Sequence, residues 1–538
     1  MSVMLKETPK KKTTLSEKVD GFIGFFSPRA EAHRKAYRQA SKLAFSSSYK
    51  GAKKNRLNSD WVPGGGSADE DLLSALPELR ERSRDLNRNN GIAAGITATM
   101  TTNVIGAGIK PQSRVDRESL GIDDKAADKF QKRAERVWEK WLPYADSTER
   151  MNFYEIQKLV DRQILENGEA IILPLRLKDK NRPYKLALEV IESDRLATPS
   201  DKRGDKSIRD GVEIGERGQP IAYYIRKTHP GDMALRLRTP NAKEFTRIPA
   251  RNKLGMPNVF HLYFVLRPGQ TRGVPFFAPV MTMFKDLASY MEATLVTARI
   301  AACFSVFIKS VGSPYGAAYN AADKTNASGQ RIEEIEPGLV NYLAAGEEAT
   351  SLKPEQPTGM FDPFVNRMMR SIGSSLELPY EVSAKDFSKT NYSSARAALL
   401  EARRYFQCRQ GFHSARFCQP TWELLLEEAF LNGELQIKNF YEKRLDWVKT
   451  KWIAPGWSWV DPLKEVKAAK EAIESNISSL ADIAASQGKD WEEILEQRAR
   501  EENKRKELGL TNPETNLEND KEIDQIIKDG DEEEKDGK

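Results

Sequence analysis

From Leu378 to Arg404 the chain passes a proline, crosses a polar tract and runs without interruption into a strong helix-forming sequence. Pro379 cannot donate a backbone hydrogen bond and pushes the residue before it out of the helical region, so a preceding helix ends there and a loop follows. Lys385 to Tyr392 carries two lysines, a serine, a threonine and an asparagine, with Phe387 and Tyr392 as its apolar anchors. Asn391, Ser393 or Ser394 can cap the next helix. That helix runs from Ser394 to Leu431, where Asn432 and Gly433 supply a left-handed end. It spans about 55 Å, with a kink where Pro420 lacks its hydrogen bond. Arg396, Arg403, Arg404 and Arg409 lie near its start and read either as a solvated face or as nucleic-acid contacts.

A chain of 538 residues exceeds one ordinary core and calls for several structural units. With 39% hydrophobic and 30% charged residues it is a globular composition. Three cysteines, Cys303, Cys408 and Cys418, form no C-x-x-C pair, which argues against a disulfide framework or structural zinc and fits a reducing cytosol. No signal peptide follows Lys6 to Lys12, and the most apolar stretch, Ala293 to Ile308, contains Arg299 and falls short of a membrane span. The net charge of +6 is unevenly placed: residues 1–57 hold 14 Lys or Arg against 4 acids, while residues 511–538 hold 11 acids against 4 bases. The basic end suits nucleic acid, a membrane surface or an acidic partner, or is a solvated arm; the acidic end has too little apolar content to fold.

Gly64-Gly-Gly-Ser67 marks a linker, after which Glu70 to Thr102 reads as one helix, followed by helices over Asp124 to Leu142 and Phe153 to Glu166. Short β-branched and aromatic runs predict strands at Glu169 to Leu177, Leu186 to Ile191, Ile221 to Arg226 and Val259 to Val265, making an α+β unit that ends near Pro275. Val280, Phe284, Leu287, Met291, Leu295 and Ala298 then recur at helical spacing, and a methionine-rich stripe from Phe361 to Ile372 can pack against them. Strand-like runs at Phe304 to Ile308 and Leu339 to Leu343 lie between the two helices. Trp452, Trp457 and Trp459 read as core or subunit interface, with base stacking the other option. A helix starting at Asp461-Pro462 runs to Ser486, and a charged one covers Trp491 to Leu508.

Little here carries catalytic chemistry. Glu189, Glu192 and Asp194 could bind a divalent metal for phosphodiester cleavage, but no histidine lies near them in the sequence and Arg195 offers a salt bridge. Gly106-Ala107-Gly108 lacks the third glycine of a dinucleotide fingerprint, and no G-x-x-x-x-G-K-[ST] loop occurs. No cofactor, metal or catalytic residue is assigned.

The tract Asp386-Phe-Ser-Lys-Thr-Asn-Tyr-Ser-Ser-Ala-Arg-Ala-Ala-Leu-Leu-Glu401 resembles the signature of the lambda-type family of tailed-phage portal proteins. Three further stretches resemble that family in the same order: Asp85 to Asn90 with Asn103 to Ile109, Arg267-Pro-Gly-Gln-Thr-Arg-Gly-Val-Pro275, and Gly456 to Val466. The resemblance implies an α+β, helix-rich portal fold around a central channel, in a ring usually of twelve subunits at one capsid vertex. Double-stranded DNA passes through such a ring during packaging and ejection, without catalytic activity by the ring itself. Mapped by order along the chain, the expected regions are a basic arm and linker (1–66), an α+β wing (67–275), a first stem helix (276–308), a clip (309–359), a second stem helix (360–378), a tunnel loop (379–393), a long kinked helix returning to the wing (394–460), a helical crown (461–510) and an acidic disordered tail (511–538). Lys385, Ser388, Lys389, Thr390, Asn391 and Tyr392 would then face DNA, with Arg396, Arg403 and Arg404 as DNA or interface contacts. Implied partners are further copies of the chain, double-stranded DNA read without sequence specificity, the terminase large subunit, major capsid and scaffolding proteins, and head-completion proteins, but no membrane. The implied location is the virion, after assembly in the bacterial cytoplasm. Two other readings remain open from the residues: a metal-dependent nuclease using Glu189, Glu192 and Asp194, and a basic-armed DNA-binding adaptor.

Overall fold

The computed structural model describes residues 60–232, 244–302, 306–309, 340–343, 359–457 and 461–510, with isolated positions before residue 60. The expectations for most of the basic arm, most of the clip, Cys303, Trp459 and the acidic tail fall outside these residues. The chain divides into two compact units, 1–66 and 67–538, and the second carries the fold described here.

It opens with three helices, not one, over the stretch expected to be continuous. They are α1 (Ala68–Leu73), α2 (Leu76–Asn89) and α3 (Gly91–Val104). The breaks have local causes. Pro77 fits only the first turn of α2. Asn90 turns its side chain onto the backbone N–H groups of Ile92 and Ala93 at 3.1 and 3.0 Å, opening α3 with a cap. After β1 (Lys110–Ser113) come α4 (Asp124–Trp141), capped by Asp123, and α5 (Phe153–Asn167), which starts on a capping box between Asn152 and Glu155.

The strands follow as β2 (Glu169–Arg176), β3 (Leu186–Ile191), β4 (Ile208–Arg209), β5 (Val212–Ile214), β6 (Pro220–Arg226), β7 (Phe245–Pro249) and β8 (Phe260–Tyr263). They form two antiparallel sheets, ordered β3-β2-β8 and β4-β5-β6-β7. Strand β2 divides the interior. Ala170 and Ile172 join the main core, while Ile171 and Leu173 join a smaller one with Val212, Tyr223 and Ile225. Alternating side chains are therefore buried on both faces, which is why the strand reads as a continuous apolar run. The strand expected to reach Val265 stops at Tyr263, and Val265 and Leu266 are exposed.

Next are α6 (Met281–Ala302), β9 (Val306–Lys309), β10 (Val340–Leu343), α7 (Phe361–Ser375) and α8 (Tyr380–Ala384). Strands β9 and β10 pair in parallel, Val306 opposite Val340 through Lys309 opposite Leu343. Val280, in the 3-10 turn just before α6, is buried, and the helix's own apolar face is buried at Phe284 and Leu287 but exposed at Met291 and Leu295. Helix α7 meets it through Phe361 and Phe364, whose rings lie 5.7 and 4.7 Å from that of Tyr290, and the methionine-rich stripe enters the core at Met369 and Ile372.

The long helix is built from α9 (Tyr392–His413), a π-helical turn at Ser414–Cys418 and α10 (Gln419–Leu431). Its irregularity thus precedes Pro420. In the wide turn the Gln419 N–H bonds back to Ser414, five residues earlier, and Pro420 sits in the first turn of α10, where a missing donor costs least. Phe417 and Cys418 are fully buried there, and the Phe417 ring stacks on Phe153 at 5.3 Å. Around it Trp138, Trp141 and Trp422 form a buried aromatic centre, against which the half-buried Trp452 packs.

Strand β11 (Thr450–Ile453) pairs antiparallel with β1. The helix expected from Pro462 to Ser486 is two: α11 (Pro462–Glu474) and α12 (Leu480–Ser486), separated where Asn476 adopts φ 57°. The last described element is α13 (Trp491–Glu507). The whole is an α+β, helix-rich architecture. Among the described residues no helix is long and apolar enough to cross a membrane.

Candidate nucleic-acid interface

The polar loop between α8 and α9 is held in place from both ends. Helix α7 ends before Pro379: Glu377 adopts φ 57°, the Leu378 N–H reaches back to the Gly373 carbonyl at 2.8 Å, and Leu378 is buried. This is a Schellman-type end with a glutamate where glycine is usual. Gly373 must be glycine for a different reason, since a Cβ there would lie 2.7 Å from the Leu378 carbonyl oxygen and 2.9 Å from Ser383 Oγ. Pro379 then opens α8, its carbonyl accepting from Val382 and Ser383, so the expected break at Pro379 is the start of a short helix and the loop begins at Lys385.

Lys385 ends α8 in the left-handed region, with φ 55° and ψ 35°. Asp386 then folds the loop on itself: Oδ1 accepts from the Ser388 N–H at 3.0 Å and the Ser388 hydroxyl at 2.6 Å, while Oδ2 lies 2.9 Å from the Tyr380 hydroxyl. The Ser388 bonds, then the Tyr380 bond, hold the Asp386 carboxyl below its usual range, so it is ionised at neutral pH. Thr390 donates from N–H and hydroxyl to the Phe387 carbonyl, and Asn391 caps α9 through the Ser394 N–H at 2.8 Å.

Lys385, Ser388, Lys389, Asn391 and Tyr392 are exposed and Thr390 is half-buried. Phe387 and Tyr392, expected to anchor the loop, are 41% and 45% exposed. The anchors are polar instead, Asp386 and Tyr380, and neither was singled out in the sequence, although aspartate two residues before serine is an Asx-turn signal. Short hydrogen bonds within the loop leave both lysines displayed on an ordered backbone.

The arginines separate into distinct roles. Arg396 is exposed and shares a cleft with Leu400, Arg403 and Glu465. Arg403 is half-buried with its guanidinium 5.6 Å from the Trp457 ring centroid, and burial lowers its pKa. Arg404 is exposed, pairs with Glu401 at 3.1 Å and lines another cleft of about 920 Å³ with Arg370, Tyr380 and Tyr405. Arg409 belongs to no exposed face. It is buried and bonds Asp161 Oδ1 at 2.8 Å, where His413 Nε2 also lies at 2.9 Å. Burial works to raise the Asp161 carboxyl, but Arg409 and His413 outweigh it and hold it below its ordinary value.

The carboxylates Glu189, Glu192 and Asp194 do not converge as a trio. Glu189 pairs with Arg195 at 3.4 Å, and His229, distant in sequence, joins Glu192 and Asp194, so a histidine does lie near. His229 Nε2 is 2.8 Å from Glu192, and the ligand atoms of Glu192, Asp194 and His229 all lie within 4.8 Å of one another, while Asp194 is already bonded by Arg84. The motif at Arg267 to Pro275 is likewise structural at its centre. Arg272 is fully buried and its guanidinium holds Glu169 at 2.6 Å, the Ser193 carbonyl at 3.0 Å and the Asp210 carboxylate at 2.5 Å. Burial raises the Glu169 carboxyl, but Arg272, Arg80 and His261 together keep it well below the usual range.

Among curated relatives, a probable portal protein of Halomonas phage phiHAP-1 is 30% identical over 480 residues, covering 86% of this chain and 88% of that protein. Portal protein B of Escherichia phage lambda is 25% identical over 488 residues, covering 84% and 88%. Among solved structures, a chain from the virion of a native gene transfer agent particle aligns with a TM-score of 0.36 at 12% identity, over 77% of this chain and 93% of that one. The family model for phage portal protein, lambda family, matches residues 54–410, a span that takes in both antiparallel sheets, the two packed helices, the loop and most of α9. The chain therefore belongs to the lambda family of phage portal proteins.

Proposed function

We propose that the chain forms an oligomeric ring at one capsid vertex, usually of twelve subunits in this family, and that double-stranded DNA passes through its channel during packaging and ejection. The loop from Lys385 to Tyr392 faces the DNA, and α6 and α7 form the stem. The insertion between β9 and β10 is the clip, docking the terminase large subunit and later the head-completion proteins. The helices after Asp461 form the crown. Major capsid and scaffolding proteins surround the ring, which assembles in the bacterial cytoplasm and acts in the virion without catalysis of its own.

The observation that carries this reading is the ordered loop with Lys385 and Lys389 exposed at the head of a long helix. A conduit must pass every sequence, so it uses backbone charge and not base edges. Two lysines per loop, diluted by Ser388, Thr390 and Asn391, give contacts that are weak, screened by salt and repeated around a ring. Replacing Lys385 and Lys389 by alanine leaves ring assembly intact, as read by light scattering and electron microscopy, and impairs DNA packaging. Normal packaging by such rings would remove the loop from the DNA path. A monodisperse monomer or dimer of the unaltered protein at every salt would remove the ring.

A further inference from the structure

Tyr380 makes a connection that neither the loop nor the long helix requires for its own folding. Its hydroxyl lies 2.9 Å from Asp386 Oδ2 at the base of the loop and 2.9 Å from the position of Asn366 Oδ1 on α7, which a half-turn of that amide exchanges for its nitrogen. Its ring carries the Arg370 guanidinium, also of α7, at 5.2 Å from the centroid. A phenol has one proton and cannot donate twice. The ionised Asp386 carboxylate is the stronger acceptor, so Tyr380 donates to it and accepts from the Asn366 amide N–H, whose nitrogen and oxygen are interchangeable in shape. Asn366, Tyr380 and Asp386 thus form a directional relay from α7 to the loop.

On its α9 side the loop is met by apolar packing, Phe387 sharing a cleft with Leu399, Ala402 and Phe406, and not by a matching relay. Asn391 caps α9 through Ser394, but this bond is local to the first turn of that helix. Between Phe387 and Thr390 the loop bonds only to itself in the hydrogen bonds described for these residues. Lys385, in the left-handed region, is the swivel between α8 and the Asp386 turn. Arg370 and Tyr380 also line the same cleft as Arg404, so the relay sits beside an exposed basic residue of α9 without passing through it.

We infer that Tyr380 is a positioning residue that couples the loop to α7, so that the lysines follow movements of α7 as well as those of the helix they precede. The consequence for DNA rests on the loop facing the channel, as proposed above; the coupling itself does not. With α7 as a stem helix, a push on the loop by a DNA backbone is passed through Tyr380 to the stem.

Hydrogen exchange of the assembled full-length protein tests the coupling directly. Tyr380→Phe removes only the hydroxyl and raises exchange in peptides covering Phe387 to Thr390 about tenfold, with exchange across α9 and the thermal midpoint unchanged. Asn366→Ala, on α7 and outside the loop, raises exchange in the same peptides and has no added effect in the Tyr380→Phe background, because both act through one relay. Unchanged loop exchange in Tyr380→Phe, or independent multiplying effects of the two substitutions, overturns the proposal. A packaging assay separates the two readings. If Tyr380→Phe loosens the loop but neither it nor the lysine replacements alter packaging, the relay stands and the DNA-facing assignment falls. If the lysine replacements impair packaging and Tyr380→Phe leaves exchange unchanged, the assignment stands and the relay falls.

Discussion

Glu135, on α4, accepts a hydrogen bond from the Ser113 N–H at 2.8 Å, and the neighbouring residue Gln112 holds both carboxylate oxygens of Asp490 at 2.7 Å. Burial raises the Glu135 carboxyl to about 7 against the opposing Ser113 bond, with Asp490 and Glu492 adding repulsion and Arg114 lying 3.9 Å from Glu492. Between the ordinary value of 4.5 and about 7 the folded chain keeps a proton that the unfolded chain releases. Raising pH through that window therefore removes stability, because here the native state binds more protons. Glu135→Gln preserves the acceptor for Ser113, so it should raise the thermal midpoint by about 2 °C or more near pH 8, with the gain shrinking toward pH ~5. A pH-independent difference would contradict the assignment. Nothing local in the sequence marks Glu135, and the same is true of the internal ion pairs. Arg80 and Arg84 look like a solvated basic face of α2, yet Arg80 is buried against Glu169, 89 residues away. Composition identifies a charge; only the fold supplies its counter-ion. The Asn391 cap was legible because capping is settled within a few positions, whereas the loop's polar anchors Asp386 and Tyr380 were not.

Helices and strands were legible wherever their signals were local. The apolar period gave α6 and α7, β-branched runs gave β2, β3 and β6, and Asp461-Pro462 gave the start of α11. The short strands β4, β5 and β7, the first and last at the edges of their sheet, carry too few residues for a pattern, and their pairing partners supply the order. The π-helical turn escaped notice for another reason: sequence points to Pro420 as the disturbance, whereas the backbone widens one turn earlier to accommodate it. Removing Ala415, an exposed residue of that turn, should convert it to regular helix and set the proline ring against a carbonyl of the preceding turn. The expected cost is about 3 kcal/mol. Combining the deletion with Pro420→Ala should recover most of that loss in denaturant titrations. If the deletion alone is as stable as the parent, the wide turn has no connection with the proline.

At the scale of the whole molecule, one unit begins at Ser67, where the serine side chain caps α1 at 3.2 Å and Asp69 bonds Thr271 and Arg209. A fragment of residues 67–510 should accordingly show the same cooperative thermal transition as the full chain; a midpoint lower by more than about 4 °C, or loss of cooperativity, would show that residues 1–66 or 511–538 complete the core. The partition of the interior by β2 was not legible in the sequence, because an apolar run does not say which core each residue enters. The parallel pairing of β9 and β10 carries a separate consequence. Parallel neighbours require a crossover of about a dozen residues or more, and once that minimum is met each doubling of the connection costs only about 0.6 kcal/mol. The ladder therefore isolates α6 and α7 from the length of what is inserted between them. Changes in the number of residues between 310 and 339 should therefore cost little stability, whatever they do to docking.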